Sequence, residues 1–253
     1  MSLTEEERER YSRQLLIPEF GETGQEKLKQ SKVLVIGAGG LGSPASMYLA
    51  AAGVGTIGIA DSDVVDNSNL QRQILHGTSD RNRLKVESAA ETLRDINPYV
   101  EVIPIHTMVT AENIQELIAD YDFVLDATDN YKAKFLINDG CVAAGKAYSH
   151  GGILAFSGQL MTYVPGQGPC YRCIFGEEPK PGEAPTAKEA GVIGPVAGII
   201  GSMQAAEAIK YLIGKGKLLT GRMVTVDAFT MRIREIPLPE ANPDCKACGC
   251  HKE

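Results

Sequence analysis

The segment KVLVIGAGGLGSPASMYLAAAG, residues 32–53, constrains the fold more than any other part of the chain. A short apolar run rich in β-branched residues (32–36) leads into closely spaced glycines, and a stretch rich in alanine and leucine (41–53) follows. This order predicts a buried strand, a tight turn and a helix. Small residues let the turn approach a phosphate, and the amides at the start of the helix are donors. The segment therefore predicts the first unit of a nucleotide-binding α/β fold.

The same alternation continues through the first half of the chain. Further strands are predicted at 56–60, 100–105 and 123–127, and helices at 4–14, 21–30, 83–96, 111–120 and 131–145. Strands that alternate with helices are typical of a parallel, doubly wound sheet. The fold class predicted for this half is therefore Rossmann-like α/β.

The pattern changes after residue 147. The segment 147–164 predicts two strands joined near Ser157-Gly158, and 221–236 predicts a second hairpin. Between them, 176–191 is rich in proline, glycine and glutamate, which predicts a mobile surface crossover with no packed core of its own. The second half is therefore expected to extend the parallel sheet with antiparallel strands.

We expect one domain over residues 1–253. Its predicted parts are N-terminal helices (1–30), a nucleotide-binding half (31–146) and an antiparallel half (147–253) that holds a crossover loop (176–190) and a metal site.

Charge and hydropathy argue against two classes of partner. The net charge is −7 without a long run of lysine or arginine, so neither a nucleic-acid surface nor an electrostatic membrane anchor is expected. The most apolar run, 191–206, is interrupted by Pro195 and is too short to span a bilayer, so it predicts a buried helix. No signal peptide is recognised, and we expect a cytoplasmic location.

The glycines follow the pattern G-x-G-x-x-G, and the positions of interest are Gly37, Gly39, Gly40 and Gly42. Asp61 falls at the end of the next strand, where a carboxylate accepts hydrogen bonds from ribose hydroxyls. The pattern by itself favours NAD, which is its commonest ligand.

The residues that follow favour a triphosphate instead. Segments 66–73 and 81–89 supply donors for phosphate oxygens: Asn69, Arg72, Gln73 and Lys85. Arginine presents a planar fork and lysine a point charge, and both are expected on the surface of a cleft. The alternative for Arg72 and Lys85 is an ordinary solvated surface charge.

Two acidic residues follow the strand 123–127. Asp126 and Asp129 lie at its carboxyl end, which is the edge where open α/β sheets bind ligands. A carboxylate there can hold Mg²⁺, which bridges phosphates. The alternative for Asp129 is an N-cap for the helix that begins at Tyr131.

Two C-x-x-C pairs supply four thiols: Cys170, Cys173, Cys245 and Cys248. Four thiolates suit tetrahedral Zn²⁺, and neither pair follows the strand–helix pattern of a redox motif. The spacing predicts a structural zinc that pins the C-terminal tail to the domain. Cys250 and His251 are alternative ligands, and Cys141 on an apolar helix is expected in the core.

The chain resembles the ThiF/MoeB/HesA family, relatives of the ubiquitin-activating enzymes. The matching pieces are RYSRQLL (10–16), VLVIGAGGLGSP (33–44), D-x-D-x-V-x-x-SNLQRQ (61–73), Lys85, LDATDN (125–130), CYRC (170–173) and GVIGPVAGIIG (191–201). This resemblance implies ATP-Mg²⁺-dependent adenylation of the C-terminal glycine of a ubiquitin-like sulfur-carrier protein (ThiS/MoaD type), with release of pyrophosphate. The carrier would serve thiamine, molybdopterin or related sulfur transfer.

The resemblance also implies roles for single residues. Gly40 would lie under the phosphates, Asp61 would take the ribose, and Asp129 with Asn130 beside it would hold Mg²⁺. The segment that contacts nucleotide and phosphates would comprise Ser68, Asn69, Leu70, Gln71, Arg72 and Gln73, with Lys85 on phosphate as well. The arginine that matches Arg13 would reach into a partner subunit, which implies a homodimer. Without the resemblance, the segment around Arg13 predicts a solvated amphipathic helix.

The chemistry implied by the resemblance requires no nucleophilic triad. A terminal carboxylate has a pKa of about 3.5, so it is already ionised at neutral pH and needs no general base. Positioned cations and Mg²⁺ are needed to bring this anion to the α-phosphate. The four histidines are scattered along the chain, and none is assigned a role: His76, His106, His150 and His251.

One position departs from the family pattern. Many members carry a cysteine in the crossover loop that forms a covalent link with the carrier, and the matching position here is Ala187. No cysteine lies between residues 174 and 244, so this sequence predicts no covalent link in that loop.

Three other functions are compatible with parts of the pattern. Adenylation of a small-molecule carboxylate uses the same chemistry. An NAD(P)-dependent oxidoreductase would use the glycine pattern, but SNLQRQ and the lack of a hydride-site acid or base disfavour it. The last is an ATP-binding scaffold without catalysis.

Overall fold

The computed structural model describes residues 2–180, 182–185 and 187–249, with residues 187 and 188 described by their backbone only. Cys250 and His251, considered above as alternative metal ligands, lie outside the described residues.

The strands of the described residues form one mixed sheet. They are β1 (Lys32–Ile36), β2 (Thr56–Asp61), β3 (Glu101–His106), β4 (Phe123–Asp126), β5 (Ala147–Leu154), β6 (Ser157–Tyr163), β7 (Arg222–Asp227) and β8 (Arg232–Pro237). Their order in the sheet is β3-β2-β1-β4-β5-β6-β7-β8. Pairing is parallel from β3 to β5 and antiparallel from β5 to β8. The predicted fold class, a parallel half extended by antiparallel strands, is confirmed.

The helices alternate with the parallel strands as the sequence predicts. They are α1 (Glu5–Arg10), α2 (Ser12–Leu15), α3 (Gly21–Gln30), α4 (Gly42–Ala52), α5 (Lys85–Ile96), α6 (Ile114–Ala119), α7 (Tyr131–Ala143), α8 (Tyr171–Phe175), α9 (Ala187–Ala190) and α10 (Gly194–Ile213). Helix α9 lies in the crossover, where no helix was predicted. Two short 3₁₀ turns span Asn67–Asn69 and Thr78–Asp80.

Both faces of the central parallel strands β1, β2 and β4 are buried, whereas the outer strand β3 is largely exposed. In β1, Val33 and Val35 pack with α4, α5 and α10, whereas Leu34 and Ile36 pack with α6 and α7 on the other face. Side chains alternate between faces along a strand, so a strand covered on both sides is apolar throughout. This explains the uninterrupted run of β1.

The hairpin between β5 and β6 turns two residues earlier than predicted. Leu154 pairs with Ser157, so the turn is Ala155-Phe156, and Ala155 has a positive φ of 49°. Gly158 lies inside β6, where an added Cβ would stand 2.4 Å from Ile200 Cγ1. The glycine therefore allows α10 to pack against the sheet, and the expectation of a turn at Ser157-Gly158 is wrong.

Most of the apolar run 191–206 forms the first part of α10, which begins at Gly194 and is the predicted buried helix. Among the described residues, no helix combines the length and apolar character needed to cross a membrane.

Candidate functional site

The glycine turn joins β1 to α4 at the carboxyl edge of the sheet. An added Cβ on Gly37 would lie 2.7 Å from Ala127 O, and one on Gly42 would lie 1.8 Å from Gly37 O. No side chain is possible at either position without moving the backbone. Ala38 N donates to Asp61 Oδ2 over 2.8 Å, so the carboxylate proposed for the ribose also fixes the turn.

The turn leaves amide groups free. Among the described residues, the backbone N–H groups of Gly39 and Gly40 have no hydrogen-bond partner, and both residues are half-exposed. Ser43 N donates to Gly39 O, which begins the ladder of α4. Free amides at the start of a helix of this length form an anion-binding arrangement.

The predicted phosphate donors meet beside this turn. Asn69 Oδ1 accepts hydrogen bonds from Arg72 Nη2 (3.1 Å) and Gln73 Nε2 (3.3 Å). An added Cβ on Gly40 would lie 3.6 Å from Arg72 Cγ, and one on Gly39 would lie 3.6 Å from Gln73 Nε2. The structure therefore brings three of the predicted donors to the glycines.

Two further observations show that, within the described part of the chain, this corner has polar groups left for a ligand. Gln73 Oε1 is buried and has no hydrogen-bond partner among the described residues. The Arg72 guanidinium uses two of its donors, on Asn69 and on Ser68 O (3.1 Å), which leaves others free. The Ser68 hydroxyl donates to Asp66 Oδ1, and the Asp66 carboxylate caps the local 3₁₀ turn by also accepting from Ser68 N.

The amino-terminal end of α10 closes the same corner. An added Cβ on Gly40 would lie 3.3 Å from Ala197 Cβ, and one on Gly194 would lie 2.5 Å from Gln71 O. Helices α4 and α10 thus both begin at the site, and their amino-terminal dipoles favour an anion there.

Lys85 does not lie on the cleft surface as expected. Its side chain is 6% exposed, and Nζ donates to Asp63 Oδ2 over 2.9 Å. The interpretation as a solvated surface charge is wrong as well. An ammonium has three donors, so a buried Lys85 held at one of them can still serve a ligand.

Asp129 lies beyond the carboxyl end of β4. It is exposed and has no hydrogen-bond or ion-pair partner among the described residues. Asn130 is the N-cap of α7, because its Oδ1 accepts from Ala133 N over 2.9 Å. The capping alternative for Asp129 is therefore wrong, and its carboxylate is available to a cation.

Asp126 is committed to a buried network. His150 Nδ1 lies 2.8 Å from Asp126 Oδ2, and Lys134 Nζ lies 3.4 Å from the same oxygen. Burial alone would raise the pKa of Asp126, but the charge of Lys134 and the hydrogen bond from His150 outweigh it and hold the pKa at about 2. Burial and Lys134 lower the pKa of His150, so the imidazole is neutral and donates from Nδ1.

This network holds the loop that carries Asp129. Asp126 Oδ1 accepts from Thr128 N (3.1 Å) and Thr128 Oγ1 (2.6 Å), while Lys134 Nζ donates to Thr128 O (2.8 Å) and Gly151 O (2.6 Å). Sequence reasoning assigned no role to Lys134 or His150. Asp126 and His150 are register partners on the neighbouring strands β4 and β5. Their side-chain contact therefore follows once the strand pairing is known.

Arg13 lies far from the turn within its own chain. It is exposed on α2, and the residues near it are anchored at the opposite end of α4. The Tyr11 hydroxyl accepts from Asn97 Nδ2 (2.8 Å), and Gln14 Nε2 donates to Ala52 O (3.1 Å). Since α4 has 11 residues at about 1.5 Å each, about 16 Å separates these anchors from the glycine turn.

The four predicted metal ligands come together. The sulfur atoms of Cys170, Cys173, Cys245 and Cys248 all lie within 4.8 Å of one another. Three pairs are 3.3, 3.6 and 3.8 Å apart. Tetrahedral zinc with bonds of about 2.3 Å places sulfur atoms about 3.8 Å apart, so this donor set suits zinc. Cys141 is buried in the core as expected.

If these thiols hold zinc, the purified protein should contain about one zinc per chain, measured by elemental analysis. Cys248→Ser should lose most of the metal and lower the melting temperature, because the C-terminal segment is then released. Cys141→Ala is the matched control, since it removes a thiol outside the cluster and should keep the zinc. Equal metal content in both variants would contradict the assignment.

A separate groove lies away from the glycine turn and does not suit a nucleotide. It has a volume of about 510 Å³ and is lined in part by Lys32, Thr56 and Glu101. These residues begin β1, β2 and β3. The groove continues along the outer strand β3 to Ile105 and Thr107 and is flanked by α6, whereas open α/β sheets bind ligands where the strand order reverses, which here lies between β1 and β4.

Comparison with known proteins points to one family. The ThiF family profile matches residues 11–247. The chain is 45% identical over 249 residues to the SAMP-activating enzyme E1 of Haloferax volcanii, covering 98% of this chain and 92% of that protein. It is 43% identical to the sulfur carrier protein adenylyltransferase of Thermus thermophilus, covering 98% and 93%. Against the adenylyltransferase and sulfurtransferase MOCS3-1 of Zea mays it is 46% identical, but spans only 51% of that protein.

Solved structures agree on the fold. E. coli MccB in complex with ATP superposes with a TM-score of 0.84 at 25% identity, covering 95% of this chain and 73% of that chain. Its complex with N-formylated MccA gives a TM-score of 0.83, covering 95% and 75%.

Proposed function

The chain belongs to the ThiF family, and from this premise we propose that the corner formed by the glycine turn binds ATP and adenylates a sulfur-carrier protein. The chain is an adenylyltransferase, the activity that names its near-full-length relative from Thermus thermophilus. The modified group is the carboxyl-terminal glycine of a ubiquitin-like carrier, which fits thiamine, molybdopterin or related sulfur transfer. The chain spans about half of the MOCS3 relatives, so their sulfurtransferase activity is not assigned to it.

One observation carries this proposal. The free amides of Gly39 and Gly40, the Arg72 guanidinium and the start of α10 converge on one corner of the carboxyl edge. Each contributes positive potential, and they come from separate elements of the fold. The amino-terminal end of one helix is nearly enough to bind the pyrophosphate of a dinucleotide, whereas the greater charge of a triphosphate requires these additional positive groups.

The reaction follows from the charges at this corner. The carrier carboxylate is ionised at neutral pH, so it attacks the α-phosphorus without a base. A bond forms between its oxygen and phosphorus, the bond to the bridging oxygen breaks, and pyrophosphate leaves. Arg72 and the free amides stabilise the phosphate oxygens, and Asp61 accepts from the ribose. Mg²⁺, when held by Asp129, would supply further neutralisation of the phosphates.

The product of this step is the acyl-adenylate. Ala187 occupies the family's cysteine position in the crossover, and no cysteine lies between residues 174 and 244. We therefore infer that the acyl-adenylate is passed on without a thioester in that loop. We assign the cysteine cluster a structural role. Because its thiols must stay reduced to hold a metal, we also propose a reducing, cytoplasmic location.

We further propose that the chain works as a homodimer. Helices α4 and α10 run in the same direction from the site, and a groove of about 330 Å³ between them reaches Gln14 near Arg13. Its lining combines small residues, among them Ala52 and Ala205, with the larger side chains of Tyr48 and Ile209. A two-fold axis across this face would pack the helices antiparallel to those of a second copy. That arrangement would bring the partner's Arg13 to the glycine turn, which Arg13 cannot reach in its own chain.

The test is to incubate the protein with ATP-Mg²⁺ and carriers that end in Gly-Gly, and to follow ATP–pyrophosphate exchange. Mass spectrometry of the carrier should show the acyl-adenylate. The control is the same carrier without its last glycine, which should give no exchange. Exchange stimulated by a small carboxylic acid alone would favour the small-molecule alternative. Enhanced NADH fluorescence without ATP binding would contradict the proposal.

A further inference from the structure

His76 is a buried histidine directly beneath the glycine turn. Its side chain is 6% exposed. Nε2 lies 2.9 Å from Ala38 O, and Nδ1 lies 2.9 Å from Ser88 Oγ. Both ring nitrogens are thus engaged, one with the turn and one with α5. Nothing in the adenylation chemistry uses this residue as an acid or base.

The contact with Ala38 fixes which nitrogen carries hydrogen. A carbonyl oxygen only accepts, so Nε2 must donate to it. Burial lowers the pKa of His76, so the ring is neutral and Nδ1 accepts from the Ser88 hydroxyl. A neutral donor to the turn adds no charge beneath the phosphates.

This hydrogen bond sets the direction of the next amide. In a trans peptide the C=O of one residue and the N–H of the next point in opposite directions. No cis peptide bond occurs among the described residues. With the Ala38 carbonyl turned toward buried His76, the Gly39 N–H points the other way, toward the half-exposed side of the turn. That N–H is one of the two free amides described above.

The preceding peptide group, between Gly37 and Ala38, is held by a different residue. Ala38 N donates to Asp61 Oδ2 over 2.8 Å. Gly39 itself offers no side chain to resist rotation, and glycine adopts conformations closed to other residues. Without the hydrogen bond from His76, the Ala38-Gly39 peptide could rotate and turn its carbonyl toward the ligand.

We propose that His76 is a positioning residue of the nucleotide site, which holds the Ala38 carbonyl inward so that the Gly39 N–H faces the triphosphate. The inference rests on the proposed function, because it takes the ligand at the turn to be ATP. It adds a residue that acts through the backbone and does not touch the ligand.

The experiment compares two amide side chains that differ by one methylene. In His76→Gln the amide NH₂ can take the place of Nε2 and donate to Ala38, whereas in His76→Asn it reaches only the position of Nδ1. Binding of ATP-Mg²⁺ is measured by calorimetry without a carrier, and thermal unfolding is recorded for both. We expect His76→Asn to weaken ATP binding at least about tenfold, the value of one aligned hydrogen bond. His76→Gln should restore most of the affinity.

The possible results separate the two proposals. Equal ATP affinity in the wild type and both variants would overturn the role of His76 alone. Equal losses in both variants, with equal falls in melting temperature, would make His76 only a packing residue and overturn it too. A wild type that binds no ATP would overturn the proposed function and this inference with it.

A measurement on the unaltered chain covers the case in which His76→Asn does not fold. Nitrogen-15 NMR of the wild-type histidine distinguishes the two neutral tautomers. The inference requires hydrogen on Nε2, together with a change in the Gly39 amide signal when ATP-Mg²⁺ is added. Hydrogen on Nδ1 alone, or an unmoved Gly39 signal at saturating ATP, would overturn it.

Discussion

Replacing Arg72 with alanine is expected to lower the rate of ATP–pyrophosphate exchange by about 10²–10³-fold, the usual effect of removing one preorganised donor from a developing charge. The guanidinium is held in place before any ligand arrives, by Asn69 Oδ1 and Ser68 O. Its aliphatic stem lies beside Gly40, where an added Cβ would stand 3.6 Å from Arg72 Cγ. Loss of the side chain therefore removes both a positive charge and a set of oriented donors.

The exchange is measured with a Gly-Gly carrier, and the matched control is Arg81→Ala. Arg81 is an exposed arginine near the same segment. The pKa of Asp66 is lowered by hydrogen bonds from Ser68 and, to a smaller extent, by the charge of Arg81. The Arg81→Ala chain should retain nearly full activity, because Arg81 takes no part in the Asn69 cluster. Both variants should melt at temperatures close to the wild type, since Arg72 is only half-buried. An Arg72→Ala chain within about threefold of the wild-type rate would remove Arg72 from the site.

Arg72 is a sharper test than Lys85. The buried Lys85 ammonium is paired with Asp63, and its aliphatic stem is packed. Removing it would mix a loss of phosphate contact with a loss of stability. This burial was not predictable from local pattern, because a lysine at the start of an amphipathic helix is ordinarily exposed.

The division of the sheet into a parallel and an antiparallel half was predictable from local pattern alone. Alternating strands and helices, followed by hairpins, determine a parallel half and an antiparallel half. The error at the β5–β6 turn has a physical cause. A glycine next to a serine is typical of turns, but Gly158 serves close packing against Ile200, and the turn uses Ala155 in a left-handed conformation. Packing of this kind depends on α10, which lies far away in the chain.

The candidate site was predictable where its residues are contiguous. The glycine turn, the SNLQRQ segment and the LDATDN segment each carry their own pattern. His76, Lys134 and His150 carry none, because each acts through a residue on another element: Ala38, Thr128 and Asp126 respectively. Such contacts follow from the sheet order and the register of β4 with β5, and neither is written in local composition.

The other large expected effect is the recovery of exchange activity when two inactive variants are combined in one dimer. Arg13→Ala and Asp129→Ala are each expected to lower exchange by at least about 10²-fold on their own. When the two variants are mixed, unfolded and refolded together, activity should return in the heterodimer. The readout is exchange by heterodimers purified through two different tags, with each variant homodimer as a control.

The expected size of the recovery follows from counting sites. If Arg13 acts across the interface, one site of the heterodimer combines an intact Asp129 with the partner's intact Arg13, and the other site lacks both. The purified heterodimer should therefore reach about half of the wild-type rate. If Arg13 acted within its own chain, each site would lack one group and no activity would return. The position of Arg13, anchored at the far end of α4 by Tyr11 and Gln14, favours the first outcome, because only a second copy packed antiparallel along α4 and α10 brings that end to the glycine turn.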